Sequence, residues 1–203
     1  PNCDKTVPAA MMAAAKLNIP TVIISGGPML AGRSAQGDKL DLISSFEAVG
    51  ARGNNTLSEE AFTDIEQNAC PTCGSCAGMF TANSMNCMAE ALGLAPEGNG
   101  TVPAVYAERK TMAKQAGRLV MNLVEKDIRP LDILTEEAFE NALAVDMALG
   151  CSTNTVLHLK AIATEAGVDL SLEKMEAVSQ KTPHLVKMAP SGPHHMEALL
   201  QAG

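Results

Sequence analysis

The sequence predicts an α/β fold in which helices dominate, and three neighbouring stretches carry this prediction. A short β-branched run at residues 21–24, with no polar alternation, is typical of a buried parallel strand. An Ala- and Met-rich stretch with high helix propensity precedes it at 9–17, and a glycine-rich loop follows at 25–29. This order indicates a layered α/β/α domain with a small, largely parallel sheet and with ligands at the carboxyl ends of its strands.

The rest of the chain predicts mainly further helices, delimited by polar caps and by glycine or proline stops. We expect them at 38–49, 56–68, 77–92, 103–126, 135–149, 154–162, 171–179 and 194–201. The run at 185–189 is predicted to form a strand. Since no repeat or clear linker interrupts the pattern, we expect one domain over 1–203.

Composition narrows the class of function. The formal net charge is −8 and no basic run is present, which argues against a nucleic acid partner. No apolar run approaches the ~20 residues of a membrane span. Six cysteines in a Met-rich chain of 203 residues are more typical of intracellular thiols than of a disulfide framework, so we expect a cytoplasmic protein, or an organellar one in a eukaryote. Because the chain begins with Pro1 rather than Met, we expect an internal fragment of a longer protein.

A thiol loop at residues 70–76 is the strongest chemical signal. Cys70, Cys73 and Cys76 lie three residues apart among Pro, Gly and Ser, directly before a predicted helix. A helix N-terminus is electropositive and favours thiolates, which are ligands for soft metals and iron–sulfur clusters. Three thiols do not complete a four-thiolate site, so a distant thiol would have to join, and Cys3, Cys87 and Cys151 are available. The alternative is that some are small buried hydrophobes, and this alternative is favoured for Cys87, which lies inside a helix.

Three shorter motifs could bind ligands, each with an ordinary structural alternative. Cys3-Asp4-Lys5 combines a soft ligand with a hard one and could serve two adjacent metals, or Asp4 and Lys5 could form a solvated charge pair. Ser25-Gly26-Gly27-Pro28-Met29 could cradle a phosphate or carboxylate, or form a tight turn. Ser152-Thr153-Asn154 could hold an anion at a helix start, or simply cap the helix. None of the four histidines is assigned a role.

These segments, in this order, resemble the dihydroxy-acid dehydratase family and its sugar-acid dehydratase relatives. The resemblance covers essentially the whole chain and rests on five pieces: Cys3-Asp4-Lys5-Thr6-Val7-Pro8, the 25–29 loop, residues 70–85, residues 86–93 and residues 152–159. Within the family, the 70–76 and 83–87 segments are most similar to the branched-chain amino-acid enzyme. The phosphogluconate and pentonate dehydratases share much of the same scaffold.

The resemblance implies two metal sites that this chain holds in part. Cys3 and Cys76 match iron–sulfur ligands, which leaves Cys70 and Cys73 without a ligand role, and the cluster could be [2Fe–2S] or [4Fe–4S]. Asp4 and a carbamylated Lys5 match ligands of Mg²⁺. A further cluster cysteine and a Mg²⁺-binding acid are expected upstream of Pro1. A serine base and another Mg²⁺ ligand are expected downstream of Gly203, in a β-rich C-terminal domain that this chain lacks.

The implied activity is dehydration of a 2,3-dihydroxy-3-methyl carboxylic acid to a 2-oxo acid in valine and isoleucine biosynthesis. Ser152, Thr153 and Asn154 are candidate substrate-binding residues, and the family forms homodimers. With no catalytic base of its own, the chain alone is expected to be inactive. Two alternatives remain: a 6-phosphogluconate or pentonate dehydratase on the same scaffold, and a non-catalytic thiol module that binds zinc or carries electrons.

Overall fold

A computed structural model describes residues 1–202 and shows a mostly helical chain. The helices of this described part are α1 (Thr6–Leu17), α2 (Leu42–Gly53), α3 (Glu59–Asn68), α4 (Thr81–Ala91), α5 (Ala107–Glu125), α6 (Pro130–Ile133), α7 (Glu136–Leu149), α8 (Asn154–Ala166), α9 (Leu172–Lys181) and α10 (Met196–Ala202). Two short strands, β1 (Gly32–Arg33) and β2 (Lys39–Leu40), lie between α1 and α2. No helix among these residues has both the length and the apolar character needed to cross a membrane.

The sheet differs from the prediction. β1 and β2 pair antiparallel, with Gly32 opposite Leu40, so the prediction of a largely parallel sheet was wrong for the residues described. Parallel pairing occurs only as two isolated bridges in this part of the chain, Pro28 with Ser75 and Met188 with His194. The helical content of the prediction is confirmed.

The predicted strand at 21–24 is extended but has no strand beside it. The Ile23 amide donates to the carbonyl of Leu94, which follows α4, at 2.8 Å. The next donor, the Ser25 amide, bonds the side chain of Asn99 at 2.9 Å. The apolar composition of the run is explained by burial alone, since Ile23 is only 5% exposed. A β-sheet would also need a neighbouring strand, but the residues beside this run belong to the loop after α4.

The second predicted strand, at 185–189, also fails to join a sheet. Its last residue, Ala189, donates its amide to the carbonyl of His194 at 2.7 Å, a partner only a few residues further along the chain. The run therefore closes a local turn ahead of α10.

Most predicted helices form, with shifted starts where another side chain provides the cap. Thr135 caps α7 as predicted, accepting from the Ala138 amide at 3.3 Å. The cap of α3 is Ser58 rather than Thr56, because the Thr56 hydroxyl donates to the Ala51 carbonyl at 3.0 Å instead. α2 begins after Asp41, which accepts from the amides of the first turn. Residues before each cap stay outside the helix.

Helix α4 is the centre of the core. Its residues 82–89 are all buried, so it is enclosed on every side, and α1, α7 and α8 pack against it. Large buried side chains fill the surrounding space: Met11, Met85, Met88, Phe139, Leu143, Leu159 and Ile162. This packing fixes the start of α4, which lies next to the thiol loop.

Truncation of the fully buried Phe139 tests this description of the core. Because its removal leaves a cavity, Phe139→Ala is expected to lower the free energy of unfolding by about 3–5 kcal/mol. Phe46→Ala is the matched control: this side chain is 63% exposed, and its loss is expected to cost less than about 0.5 kcal/mol. Urea titration measures both, and equal losses would contradict the assigned core.

Candidate metal centre at the thiol loop

Three segments meet where the candidate ligands lie. The carbonyl oxygen of Gly27 contacts the Asn2 side-chain amide at 3.0 Å, the Ser75 amide at 3.0 Å and the Ser75 hydroxyl at 3.1 Å. Asn2 precedes Cys3, and Ser75 precedes Cys76. One carbonyl therefore ties both candidate cluster ligands to the glycine loop.

The glycines of this region permit close approach of protein to protein. A Cβ on Gly26 would lie 2.7 Å from the amide nitrogen of the Asn2 side chain, and a Cβ on Gly27 would lie 2.6 Å from the Val102 carbonyl oxygen. Gly27 also has a φ of 87°, which favours glycine. Because side chains and backbone of the chain itself occupy this space, the 25–29 loop is a packed turn rather than a cradle for a ligand.

A buried arginine supports the loop from beneath. The Arg109 guanidinium is 8% exposed and donates to the carbonyls of Val102 at 2.8 Å, Asn99 at 2.8 Å and Ser25 at 3.2 Å. Burial lowers the pKa of Arg109 to about 10, which leaves it charged at neutral pH. Sequence reasoning missed this residue, because an arginine on a helix is ordinarily exposed and nothing local marks it as buried.

Asn83 of α4 holds the backbone on both sides of Cys76. Its side-chain amide, fully buried, donates to the Cys76 carbonyl and to the Gly78 carbonyl at 2.6 Å. Its carbonyl oxygen accepts from the Ser75 hydroxyl at 2.6 Å. The central helix thereby sets the position of this cysteine.

Cys76 does not lie at a helix start as predicted, and its surroundings do not favour the thiolate. Burial raises the pKa of the Cys76 thiol, and the negative charges of Cys70, Asp41 and Cys3 raise it further. The prediction was wrong because α4 begins only at Thr81, so the thiol is not at its first turn.

The Cys3-Asp4-Lys5 motif immediately precedes α1 and forms a local cluster. Lys5 Nζ lies 2.5 Å from one Asp4 oxygen, and the Cys3 thiol donates to the other at 3.3 Å. The hydrogen bond from Lys5, followed by that from Cys3, lowers the pKa of Asp4. Burial lowers the pKa of His158 in α8, and the charge of nearby Lys5 lowers it further while that of Asp4 raises it. The buried Nε2 of His158 has no hydrogen-bond partner.

The side chains present are of the chemical types that bind an iron–sulfur cluster and Mg²⁺. Soft thiols come from Cys3 and Cys76, and a hard carboxylate comes from Asp4, whose present cationic partner is Lys5. Between residues 1 and 202, no three His, Cys, Asp or Glu side chains are arranged to hold a metal ion by themselves.

The other four thiols differ in accessibility. Cys70 and Cys73 are exposed, and Cys151 is partly buried. Cys87 is buried in α4, and burial raises its pKa to about 12. This agrees with the prediction that Cys87 is a small buried hydrophobe.

The candidate substrate-binding residues join two helix starts. The Ser152 hydroxyl lies 3.0 Å from the Thr81 hydroxyl, and the Asn154 side chain donates to the same Thr81 oxygen at 2.9 Å. The Ser152 amide donates to Ser84 at 2.9 Å. Thr153 is exposed. Ser152 and Asn154 therefore link the N-terminus of α8 to that of α4.

A buried hydrogen bond between His195 and Asp41, near the thiol loop, was not predicted. His195 Nε2 lies 2.9 Å from Asp41 Oδ2, and both side chains are buried. Burial opposes the charge of Asp41, but hydrogen bonds from His195 and the Ser44 amide outweigh it, so the pKa of Asp41 is lowered. Next to this pair, the Met196 amide bonds the Ala77 carbonyl at 2.8 Å. The pair joins positions 154 residues apart, which no local pattern could reveal.

Comparisons with known proteins show the family to which the chain belongs. A family model described as "Dihydroxy-acid/6-phosphogluconate dehydratase N-terminal" matches residues 1–203, and the chain belongs to that family. It is 60% identical over 203 residues to a dihydroxy-acid dehydratase of Ruminiclostridium cellulolyticum and to one of Maridesulfovibrio salexigens. It is 61% identical over 204 residues to that of Caldicellulosiruptor bescii. All of this chain is covered in each case, and it spans 36–37% of the length of these relatives.

The buried Asp146, whose carboxylate accepts from the Thr155 hydroxyl at 3.0 Å, predicts a pH dependence of stability. Burial raises its pKa to about 6, and hydrogen bonds from Thr155 and Cys151 offset this only in part. The folded state therefore holds the proton more tightly than the unfolded state. The contribution of Asp146 to the free energy of unfolding is fully present below its unfolded-state pKa of about 4. This contribution is lost as the pH rises through about 6, and the loss is about 3 kcal/mol in all.

Denaturant titrations at about pH 4.5 and pH 7.5 check this expectation. Asp146→Asn is expected to remove the loss of stability between the two pH values. Asp169→Asn, at an exposed carboxylate, is the control and should keep it. An unchanged pH dependence in Asp146→Asn would show that this carboxyl ionises as freely when folded as when unfolded.

Proposed function

We propose that the protein is an iron–sulfur- and Mg²⁺-dependent dihydroxy-acid dehydratase. It dehydrates 2,3-dihydroxy-3-methyl carboxylic acids to 2-oxo acids in valine and isoleucine biosynthesis. Membership of the dehydratase family and the names of the relatives support the reaction class. The observation that carries the proposal is that Asn2 and Ser75, the residues before Cys3 and Cys76, both bond the carbonyl of Gly27. Asp4 and Lys5 follow Cys3 directly.

Cys3 and Cys76 hold the cluster in this proposal. When bound, the cluster and Mg²⁺ supply Lewis acidity at the leaving hydroxyl and stabilise the negative charge that develops on the substrate. Because the pKa of Cys76 is raised, its thiol keeps its proton until a metal displaces it. Cys76 would hold the cluster as a thiolate, so its proton would leave on binding.

Asp4 and Lys5 hold Mg²⁺ in this proposal. As an ammonium, Lys5 competes with a metal ion for Asp4, to which it is paired at 2.5 Å. Reaction of the neutral Lys5 amine with CO₂ forms an N–C bond and releases one proton, which converts the side chain into an anionic carbamate. Asp4 then loses its cationic partner and gains a neighbouring oxygen ligand, which suits Mg²⁺.

Ser152, Thr153 and Asn154 are proposed to bind the substrate carboxylate. The hydrogen bonds from Ser152 and Asn154 to Thr81 bring together the starts of α4 and α8. The positive ends of two helix dipoles then lie side by side, which favours an anion. No residue of this chain is assigned the role of base. The proposed enzyme is cytoplasmic, or organellar in a eukaryote, as its cysteine content favours, and it is homodimeric, as the family resemblance implies.

A sugar-acid dehydratase is the second candidate, because the family description also names 6-phosphogluconate dehydratase. The two candidates share the metal ligands and differ in the acid that they accept.

Substitution of one cysteine at a time tests the ligand assignment. In the full-length protein as its gene encodes it, Cys76→Ser is expected to lower bound iron and reduce turnover by at least about 100-fold, because a hydroxyl is a poor ligand for the cluster. Cys73→Ser is the matched control in the same loop and should keep both. Iron analysis and a 2-oxo acid assay provide the measurements. Wild-type iron content in Cys76→Ser would contradict the assignment.

Asp4→Asn tests the Mg²⁺ assignment separately. The amide keeps the size of the side chain but loses the charge, so turnover should fall sharply while iron content stays at the wild-type level. Titration of activity with Mg²⁺ is the measurement, with Asp38→Asn, at an exposed carboxylate, as control. Full activity of Asp4→Asn at limiting Mg²⁺ would refute this role.

Parallel assays of candidate acids decide between the two dehydratase functions. The purified protein is expected to convert 2,3-dihydroxy-3-methylbutanoate faster than 6-phosphogluconate or a pentonate. A preference for either sugar acid, measured as kcat/KM, would establish the alternative.

A further inference from the structure

We propose that Asn2 and Ser75 are positioning residues that set the spacing between the Cys3 and Cys76 thiols through a shared acceptor, the Gly27 carbonyl. The proposal rests on the proposed function only for the identity of the bound group, an iron–sulfur cluster. Neither residue is a metal ligand here; each acts through the cysteine that follows it.

Asn2 ties the N-terminal segment to the glycine loop by two hydrogen bonds. Its side-chain amide donates to the Gly27 carbonyl at 3.0 Å, and its side-chain oxygen accepts from the Gly27 amide at 3.1 Å. The pair of bonds fixes the orientation of the side chain as well as its distance. Asn86 of α4 donates to the same Asn2 oxygen at 3.3 Å, which connects this anchor to the central helix.

Ser75 ties the thiol loop to the same place. Its amide donates to the Gly27 carbonyl at 3.0 Å, and its carbonyl accepts from the Met29 amide at 2.8 Å. The single hydroxyl proton of Ser75 is shared between the Gly27 carbonyl and the Asn83 oxygen, at 3.1 and 2.6 Å. The backbone bonds therefore hold the loop even without the hydroxyl, whereas Asn2 holds through its side chain alone.

The two anchors matter because a cluster bridges ligands at fixed metal–sulfur distances. Cys3 is otherwise held by bonds within its own segment: its amide donates to Thr6 Oγ1 at 3.1 Å, and its carbonyl accepts from the Val7 amide at 3.2 Å. These orient Cys3 relative to α1 but not relative to Cys76. The Asn2–Gly27 contact fixes the position of Cys3 relative to Cys76. The Gly26 amide, which donates to the Pro1 carbonyl at 3.3 Å, assists it.

Cross-linking of thiols in the metal-free full-length protein tests the spacing. The bifunctional reagent dibromobimane joins Cys76 to Cys3 or to Cys70, and peptide mass spectrometry gives the ratio of the two products. Asn2→Ala is expected to lower the ratio of Cys3–Cys76 to Cys70–Cys76 by about three- to tenfold, because two hydrogen bonds that hold only Cys3 are lost. Ser75→Ala, which keeps the backbone bonds, is expected to fold and to lower the yield of Cys3–Cys76 less than Asn2→Ala does.

Asn18→Gly is the control at the other end of α1, where the Asn18 side chain accepts from the Leu131 amide at 3.1 Å. It should leave the ratio unchanged, since general destabilisation affects both products alike. An unchanged ratio in Asn2→Ala, or an equal fall in Asn18→Gly, would overturn the proposal. If Asn2→Ala does not fold, Asn2→Asp takes its place, because it keeps the acceptor oxygen but loses the donor to the Gly27 carbonyl, and an unchanged ratio in Asn2→Asp overturns the proposal.

Iron content of the anaerobically purified parent judges the proposed function separately. Protein without iron but with a shifted ratio in Asn2→Ala would refute the cluster and support the spacing role. Protein with iron and an unchanged ratio would support the cluster and refute the spacing role.

Discussion

The carbonyl oxygen of Gly27 is the point on which the candidate site depends. It receives the side chain of Asn2 and the backbone of Ser75, so two segments distant in sequence are held at one atom. Gly27 can serve in this way because its φ of 87° turns the peptide and because a side chain there would meet Arg109. A buried carbonyl that lost these donors would carry the cost of an unpaired polar group. The geometry of the site is thus enforced by desolvation as much as by the bonds themselves.

The support beneath that carbonyl is polar, although the core around it is made of Met and Leu. Ser25, Ser75, Asn83, Asn99 and Arg109 are all buried, and their bonds run mainly to backbone carbonyls and amides. Such a network tolerates few substitutions, since each group removed leaves another unsatisfied. It connects the thiol loop rigidly to α4. Because burial raises the pKa of the Cys76 thiol, its thiolate would need a bound cationic centre to stabilise it.

Local patterns in the sequence predicted the elements whose causes are local. The Thr135 cap and the glycine stop of α7 depend on neighbouring residues and are confirmed. The strand at 21–24 was wrong because apolar composition reports burial and not the presence of a neighbouring strand. In the site, Cys3 and Cys76 were identified through family resemblance, and their roles stay predictions. The buried Arg109 and the Asp41–His195 pair join distant positions, so their importance could appear only once the fold was known.

The central claim is that Cys3 and Cys76 share one iron–sulfur cluster. A crystal structure of the anaerobically purified full-length protein, with anomalous diffraction measured at the iron absorption edge, tests it most directly. We expect an iron peak bonded to the sulfur atoms of both cysteines and none beside Cys73. An iron peak bound by Cys70 and Cys73 instead, or a site that scatters anomalously at the zinc edge but not at the iron edge, would contradict it.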